Sequence, residues 1–488
     1  MGNIKYIYDN FNKVILFLLL LFLIFIIPQI VLKTGPLVGV VVSLFPVAFL
    51  FILLLIDKPY FSFIFLFSLN YFISGISRYI TSIPPGITMD LVISLVIIII
   101  IFQFFKKKND LSASHLFNAL TLLTFIWFLY SVLQIFNPNS LSPIAWLTNV
   151  RGLGVYFLLI TAIASTFLRD YKRVKNLLII WAIFSLLAVS KALMQRYIGF
   201  DFAESRWLAL GGANTHILQS GIRYFSFFTD AASFGSGMGF SFVVFVVSSF
   251  HFKKLRLKIF FFLVAIICLY GMFMSGTRAS IVIPFAGLSV FALLSKNLKA
   301  IVLTITVILF SFGFLKYTYI GQSNQYIRRM RSVFNSDDAS FVVRVENQKL
   351  IRTYVKGKPF GIGIGMMRGG AKTYRPHPIL SKIAHDSWYV LIWVEMGIVG
   401  LVLNLFIFLY IIVHGSYLVL FKLKNRELSG IVKGIIGGLT GLYIAAYTLE
   451  IFGQFPNAFI IFICMTIIFL SPVLDQQLEE TEIDTNGA

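Results

Sequence analysis

Thiols and carboxylates are both scarce in this chain. Of its 488 residues two are cysteines, Cys268 and Cys464, each in a separate apolar run. Two such thiols make no disulfide framework and read as small packing residues. Charged residues form 12% of the chain, and 20 Asp and Glu stand against 41 Lys and Arg. A soluble surface needs far more charge than this, so a soluble globular domain is excluded. The motifs HExxH, CxxC and GxxxxGK[ST] do not occur, and Asp337-Asp338 alone is a poor cation site. The expected metal and cofactor complement is therefore none, and the charge pattern gives no reason to expect nucleic acid.

What the chain has instead is apolar length. Hydrophobic residues make up 58% of it and mean hydropathy is +0.88. The expected fold is an all-α polytopic membrane protein. Fourteen apolar segments read as spans: 14–32, 36–56, 60–79, 88–105, 116–135, 151–168, 176–198, 232–250, 259–275, 279–295, 300–316, 388–413, 431–450 and 457–473. Each is about long enough for a ~30 Å hydrocarbon layer. Segments 36–56 and 60–79 share a very short turn, so the expected number is about 12–14 transmembrane helices. The first run is too long, and too closely followed by a second, for a cleaved signal peptide.

Orientation follows from the loops. With both termini cytoplasmic, 106–108, 169–173, 253–256, Lys296 with Lys299, and 422–426 all fall inside, as the positive-inside rule requires. The parts in chain order are an N-terminal transmembrane bundle (1–198), spans with the first arginine motifs (199–316), a large external loop (317–387), C-terminal helices (388–473) and a disordered cytoplasmic tail (474–488). The loop 317–387 carries twelve Lys and Arg against four Asp and Glu. That excess on the outer side calls for an anionic partner such as a phosphate, a pyrophosphate or a lipid headgroup.

Candidate site residues lie in or beside these outer loops. In SDDASFVVRVENQKLIRTYVKGKPFGIGIG, Arg344, Gln348, Arg352 and Lys356 share one face of a helix that Ser336 or Asp337 can cap. That face is either solvated or a cationic stripe over a phosphate. Arg278 in SGTRAS and Arg223 in GIRYFSFF either snorkel to water or grip phosphate oxygens. The stretch PFGIGIGMMRGG reads as a turn that brings backbone close to a ligand or to another segment. His385 and Asp386 stand at the mouth of a span; an imidazole there can accept a proton from a hydroxyl. Glu395, deeper in that span, must face the interior and hold an arginine or a neighbouring helix, with Asn404 as a second polar residue.

In this order, and above all in HDSWYVLIWVEMGIVGL, the chain resembles the O-antigen ligase/polymerase superfamily of bacterial envelope enzymes, the Wzy/WaaL type. The resemblance covers about 215–410. It implies a GT-C-like, metal-independent, inverting membrane glycosyltransferase of the bacterial inner membrane, working on the periplasmic face. The donor would be an undecaprenyl-pyrophosphate-linked glycan, and the acceptor a glycan or a lipid. Membrane lipids surround it, and a chain-length regulator is left open as a partner. Arg223, Arg278, Arg344 and Arg352 would hold the pyrophosphate. His385, oriented by Asp386, would activate the acceptor, and Glu395 would give structural support. This chain has Asp386 where the family often has Asn, and Ser226 where it often has Gly. The span count leans toward a polymerase of surface polysaccharide. A ligase passing glycan to lipid A core or a protein is the alternative. A lipid-linked oligosaccharide flippase is the reading from another class.

Overall fold

The computed structural model describes residues 49–82, 84–106, 116–219, 221–331, 339–368, 374–383 and 387–486. The chain divides into two compact units, Met1–Ser62 with Ile98–Lys108, and Phe63–Ile97 with Asn109–Ala488. In the described part of the first, the Gln103 side-chain amide donates to the Ile56 carbonyl at 2.5 Å. The candidate site described below lies in the second.

Among the described residues the chain is helical but for one hairpin of two-residue strands, Ile217–Leu218 against Gly221–Ile222. Among the described residues ten helices are long and apolar enough to cross a membrane, and Arg278–Leu294 and Ile301–Tyr317 are shorter apolar ones. This is a polytopic membrane protein. The expected segments from 60–79 onward all fall on these helices. Segment 14–32 and most of 36–56 lie outside the described residues. The span expected at 151–168 begins earlier, at Pro143, because proline suits the first turn of a helix, where its missing N–H has no partner to lose.

The centre of the bundle is the helix Ala231–Ser249, which is buried along nearly its whole length. It is crowded by Leu255–Met274, Val282–Leu294 and Arg426–Ala445. Small residues make the crowding possible, since helices in lipid associate by close packing rather than by hydrophobic exclusion. A Cβ on Gly437 would stand 2.6 Å from the Gly287 carbonyl oxygen, and one on Gly287 would stand 3.0 Å from that of Gly437. The sequence signal for this contact is the four-residue glycine spacing in GIVKGIIGGLTG.

The basic loops collect at one end of the bundle. The Glu427 carboxylate accepts from the Tyr171 hydroxyl and from the Lys253 N–H, both at 2.6 Å. Lys296 Nζ donates to the Leu420 carbonyl at 2.6 Å. Asp475 accepts from the N–H groups of Lys424 and Asn425, each at 2.9 Å. These last contacts correct the expectation of a disordered tail. The helix Asn457–Asn486 continues through it, docked by Asp475 and by Glu479, which pairs with Lys424 at 3.1 Å.

The loop 317–387 holds two described α-helices, the expected arginine helix as Ala339–Val355 and an unforeseen short one, Gln325–Arg331, and a 3-10 turn at Leu380–Lys382. Both capping candidates, Ser336 and Asp337, lie outside the described residues. Overpacking a close helix contact costs about 1–3 kcal/mol. Gly437→Leu should therefore lower the thermal unfolding midpoint in detergent. Gly313→Ala is the control, for a Cβ at Gly313 meets nothing within 4 Å and should leave that midpoint unchanged or raised.

Candidate functional site

At the end of the bundle away from the basic loops, the turn 275–278 links Leu255–Met274 to the helical turn Arg278–Ile281. Gly276 takes φ +58°, a left-handed conformation that favours glycine. Arg223 is wrapped onto this turn. Its Nε donates to the Ser275 carbonyl at 3.4 Å, and its terminal amines to the Thr277 hydroxyl at 2.9 Å and the Thr215 carbonyl at 3.0 Å. The Thr277 hydroxyl in turn donates to the Ala231 carbonyl at 3.0 Å. Arg223 thus fixes the position from which half-buried Arg278 emerges. The turn also nests against the central helix because Gly235 is small: a Cβ there would fall 2.2 Å from Ser275 Oγ.

Behind Arg223 lies a buried shell. His216 Nδ1 donates to the Gly212 carbonyl at 2.8 Å and Nε2 accepts from the Ala231 N–H at 3.1 Å. Both ring nitrogens are therefore committed to backbone, and burial lowers its pKa, so this histidine is a neutral brace. Ser226 has φ +51°, a strained conformation for a residue with a side chain. Three bonds impose it. Its N–H donates to Gln195 Oε1 at 3.0 Å, its hydroxyl to the Ala188 carbonyl at 2.6 Å, and its carbonyl accepts from Arg78 at 2.7 Å. Nearby, burial opposes ionisation of Asp201, but bonds from Lys191 at 2.9 Å and from the Tyr79 hydroxyl hold its carboxyl down to about 2.

The second constellation surrounds the helix Trp388–Tyr417, which is broken at Gly397, φ +74°. The break exposes carbonyls inside a span, and the glycine-rich loop satisfies them. Ile362 N–H donates to Val394 O at 2.9 Å, Gly363 N–H to Glu395 O at 3.1 Å, and the Tyr130 hydroxyl to Met396 O at 2.6 Å. In return the Val399 N–H donates to Pro359 O at 3.2 Å. No side chain fits between the strands of this joint: a Cβ on Gly397 would stand 2.0 Å from Pro359 O. PFGIGIG therefore approaches another segment of the chain, one of the two readings its glycines allowed.

Glu395 is fully buried, and its Oε1 accepts from the Met367 N–H at 3.2 Å. Asn404 does not join it but accepts from Trp388 Nε1 at 3.1 Å. Next to Met367, Arg368 pairs with Glu450 at 3.0 Å. Burial works against the charge of Arg368, but Glu450 and then Glu395 outweigh it and raise its pKa. The pair sits beside Gly453, where a Cβ would stand 3.5 Å from the Trp388 ring. Gln454 then accepts from the Thr229 hydroxyl at 3.0 Å, and Thr229 precedes Asp230, which caps the central helix. A polar seam thus runs from Arg223 through Thr277 and the start of the central helix to Trp388.

Of the residues singled out in the sequence, Arg223 and Arg278 meet at one turn. Arg344, half-buried, and Arg352, exposed, lie on Ala339–Val355, whose buried side is Ile351 and Val355. His385 and Asp386 lie outside the described residues. Their neighbour Ser387 caps the broken helix, and the Trp388 N–H donates to Ala446 O at 3.0 Å. Sequence reasoning missed Arg368 and Arg329. Arg368 had a signal in standing between the glycines of GIGIG and Gly369-Gly370; Arg329 had none beyond the basicity of its loop.

Residues 263–405 match the family model described as O-Antigen ligase. The match takes in the arginine turn, the arginine helix, the glycine-rich loop, His385 and the break at Gly397, and leaves Arg223 outside. No curated protein matches the chain.

The Glu395 contact predicts an asymmetry between two substitutions. Glu395→Gln keeps an oxygen for the Met367 N–H and should leave stability within about 1 kcal/mol. Glu395→Leu strands that N–H and should cost about 1–3 kcal/mol, read as a lower unfolding midpoint of the purified protein.

Proposed function

We propose that the protein transfers glycan from an undecaprenyl-pyrophosphate-linked donor to a sugar hydroxyl on the periplasmic face of the bacterial inner membrane, as a surface-polysaccharide polymerase. The observation that carries this reading is the arginine turn. A lipid pyrophosphate needs fixed cations, and the reading is supported by the turn 275–278, which carries Arg278 and is held by Arg223 through Ser275 and Thr277. Clustering of the basic loops at the opposite end supports placing that end, and both termini, in the cytoplasm.

In the proposed reaction the acceptor oxygen attacks C1 of the donor sugar. The bond from C1 to the pyrophosphate oxygen breaks, and undecaprenyl pyrophosphate leaves with the electron pair. His385 takes the hydroxyl proton, and Asp386 orients the imidazole. Arg278, with Arg344 and Arg352 of the arginine helix, offsets charge developing on the leaving group. Arg223 contributes mainly by holding the turn. In-line attack inverts C1. Glu395 supports the site indirectly, through the loop that fills the helix break.

The ligase reading is favoured by the printed description of the matched family. The two differ in acceptor alone, so a glycan profile separates them. In a strain lacking the gene, a single repeat unit on its normal anchor identifies a polymerase. Long glycan stranded on undecaprenyl pyrophosphate identifies a ligase. Restoring the gene as His385→Ala should leave either defect in place. A wild-type profile from that variant would remove His385 from the mechanism and bring the flippase reading forward.

A further inference from the structure

The end of the bundle that gathers the basic loops holds a cluster of cations far from the arginine turn. Lys433 lies on the helix Arg426–Ala445, about two turns past its start. Glycines set the antiparallel register of this helix against Val282–Leu294. A Cβ on Gly441 would stand 2.5 Å from the Ile283 carbonyl oxygen, and one on Gly437 would stand 2.6 Å from that of Gly287. Continued toward the start of Arg426–Ala445, the same register sets Lys433 level with Phe291. There Val282–Leu294 is close to its end, and the chain leaves it through Lys296. Lys296 is fixed by its bond to the Leu420 carbonyl.

His251 closes the cluster from the side of the central helix. Its Nδ1 donates to the Val247 carbonyl at 2.8 Å, and its ring meets Phe291 edge-on at 6.0 Å. Burial, opposed by the Val247 bond and aided by the charges of Lys433 and Arg426, lowers its pKa to about 4. The ring is therefore neutral at physiological pH and offsets nothing. The charges that act on Lys433 are those of two more cations, Lys296 and Arg426. Carboxylates at this end are spent elsewhere: Glu427 on Tyr171 and the Lys253 N–H, Asp475 on the backbone of Lys424 and Asn425, and Glu479 on Lys424. Among the described residues no carboxylate pairs with Lys296, Arg426 or Lys433.

The positive-inside rule accounts for lysines in loops. It does not account for a half-buried lysine on a spanning helix, where a charge is costly. The flexible stem of Lys433 can carry its amine to the membrane boundary, where Lys296 and Arg426 are exposed. Three like charges gathered there repel one another unless an anion lies among them. The flanking residues indicate which anion. Leu293 and Leu298 stand on either side of Lys296 in the chain, Phe421 follows its partner Leu420, and all three are exposed. A free phosphate would satisfy the cations alone, whereas a lipid with an anionic head and apolar tails would cover both groups.

We propose that Lys296, Arg426 and Lys433 form a site for the headgroup phosphate of an anionic phospholipid, whose acyl chains lie along Leu293, Leu298 and Phe421. The site is independent of the proposed glycan transfer. The orientation given above would put it in the cytoplasmic leaflet.

The test is native mass spectrometry of the purified full-length protein in detergent, titrated with phosphatidylglycerol or phosphatidylcholine of the same acyl chains. Wild type should retain phosphatidylglycerol in preference to phosphatidylcholine. Lys433→Met with Arg426→Gln should weaken phosphatidylglycerol binding roughly tenfold or more and leave phosphatidylcholine binding nearly unchanged. Lys433→Met removes a half-buried charge from a span, so the unfolding midpoint in lipid-free detergent should hold or rise and report an intact fold. Arg256→Gln, at the same end but outside the cluster, should bind as wild type does. Equal retention of the two lipids by wild type overturns the proposal, as does a loss in Arg256→Gln as large as in the double variant. Displacement of phosphatidylglycerol by excess inorganic phosphate at matched ionic strength would identify a free-phosphate site and overturn the lipid as its occupant.

Discussion

A helix broken inside a membrane must find partners for the backbone groups it releases, because lipid offers none. This constraint shapes the larger part of the site. Gly397 breaks the helix Trp388–Tyr417, and the carbonyls of Val394, Glu395 and Met396 are met by Ile362, Gly363 and Tyr130. The glycines of 359–365 follow from that geometry, since only backbone without side chains approaches closely enough. Glu395 adds a side-chain bond to the same joint through Met367, and Arg368 follows at once, carried to Glu450. The break therefore fixes the end of the loop 317–387 on the same helix whose start His385 and Asp386 precede.

The arginine turn obeys a related rule with different means. Here a residue without a side chain, Gly276, makes room for the side chains of others. Arg223 spends its guanidinium on the turn itself and on the Thr215 carbonyl. The buried shell behind it, with neutral His216 and strained Ser226, keeps those positions from relaxing. Ser226 takes a glycine-like conformation and is held in it by three hydrogen bonds.

Close helix contacts connect the two constellations. The central helix touches the arginine turn through Gly235, while its start is capped by Asp230 and bonded through Thr229 to Gln454. Arg223, Thr277, Thr229 and Trp388 become neighbours along one end of the bundle although they are far apart in the chain.

The sequence by itself determined the class of protein and the family resemblance. Hydropathy marks spans because each must be apolar over its whole length, and the alternation of basic loops is visible residue by residue. The arginine helix was legible from its four-residue spacing, and HDSWYVLIWVEMG from its residue order. Only the tertiary structure decided which polar groups meet. Pairings such as Arg329 with Gly276, Arg368 with Glu450, and Asn404 with Trp388 rather than Glu395 leave no periodic trace. The helical course of 474–486 was hidden for the same reason: Asp475 and Glu479 read as solvated charges until the backbone of Lys424 and Asn425 is placed beside them. Local pattern fixes what a segment must be, a span, a cap or a turn. Which segment satisfies another's released donors and acceptors depends on packing between residues distant in sequence.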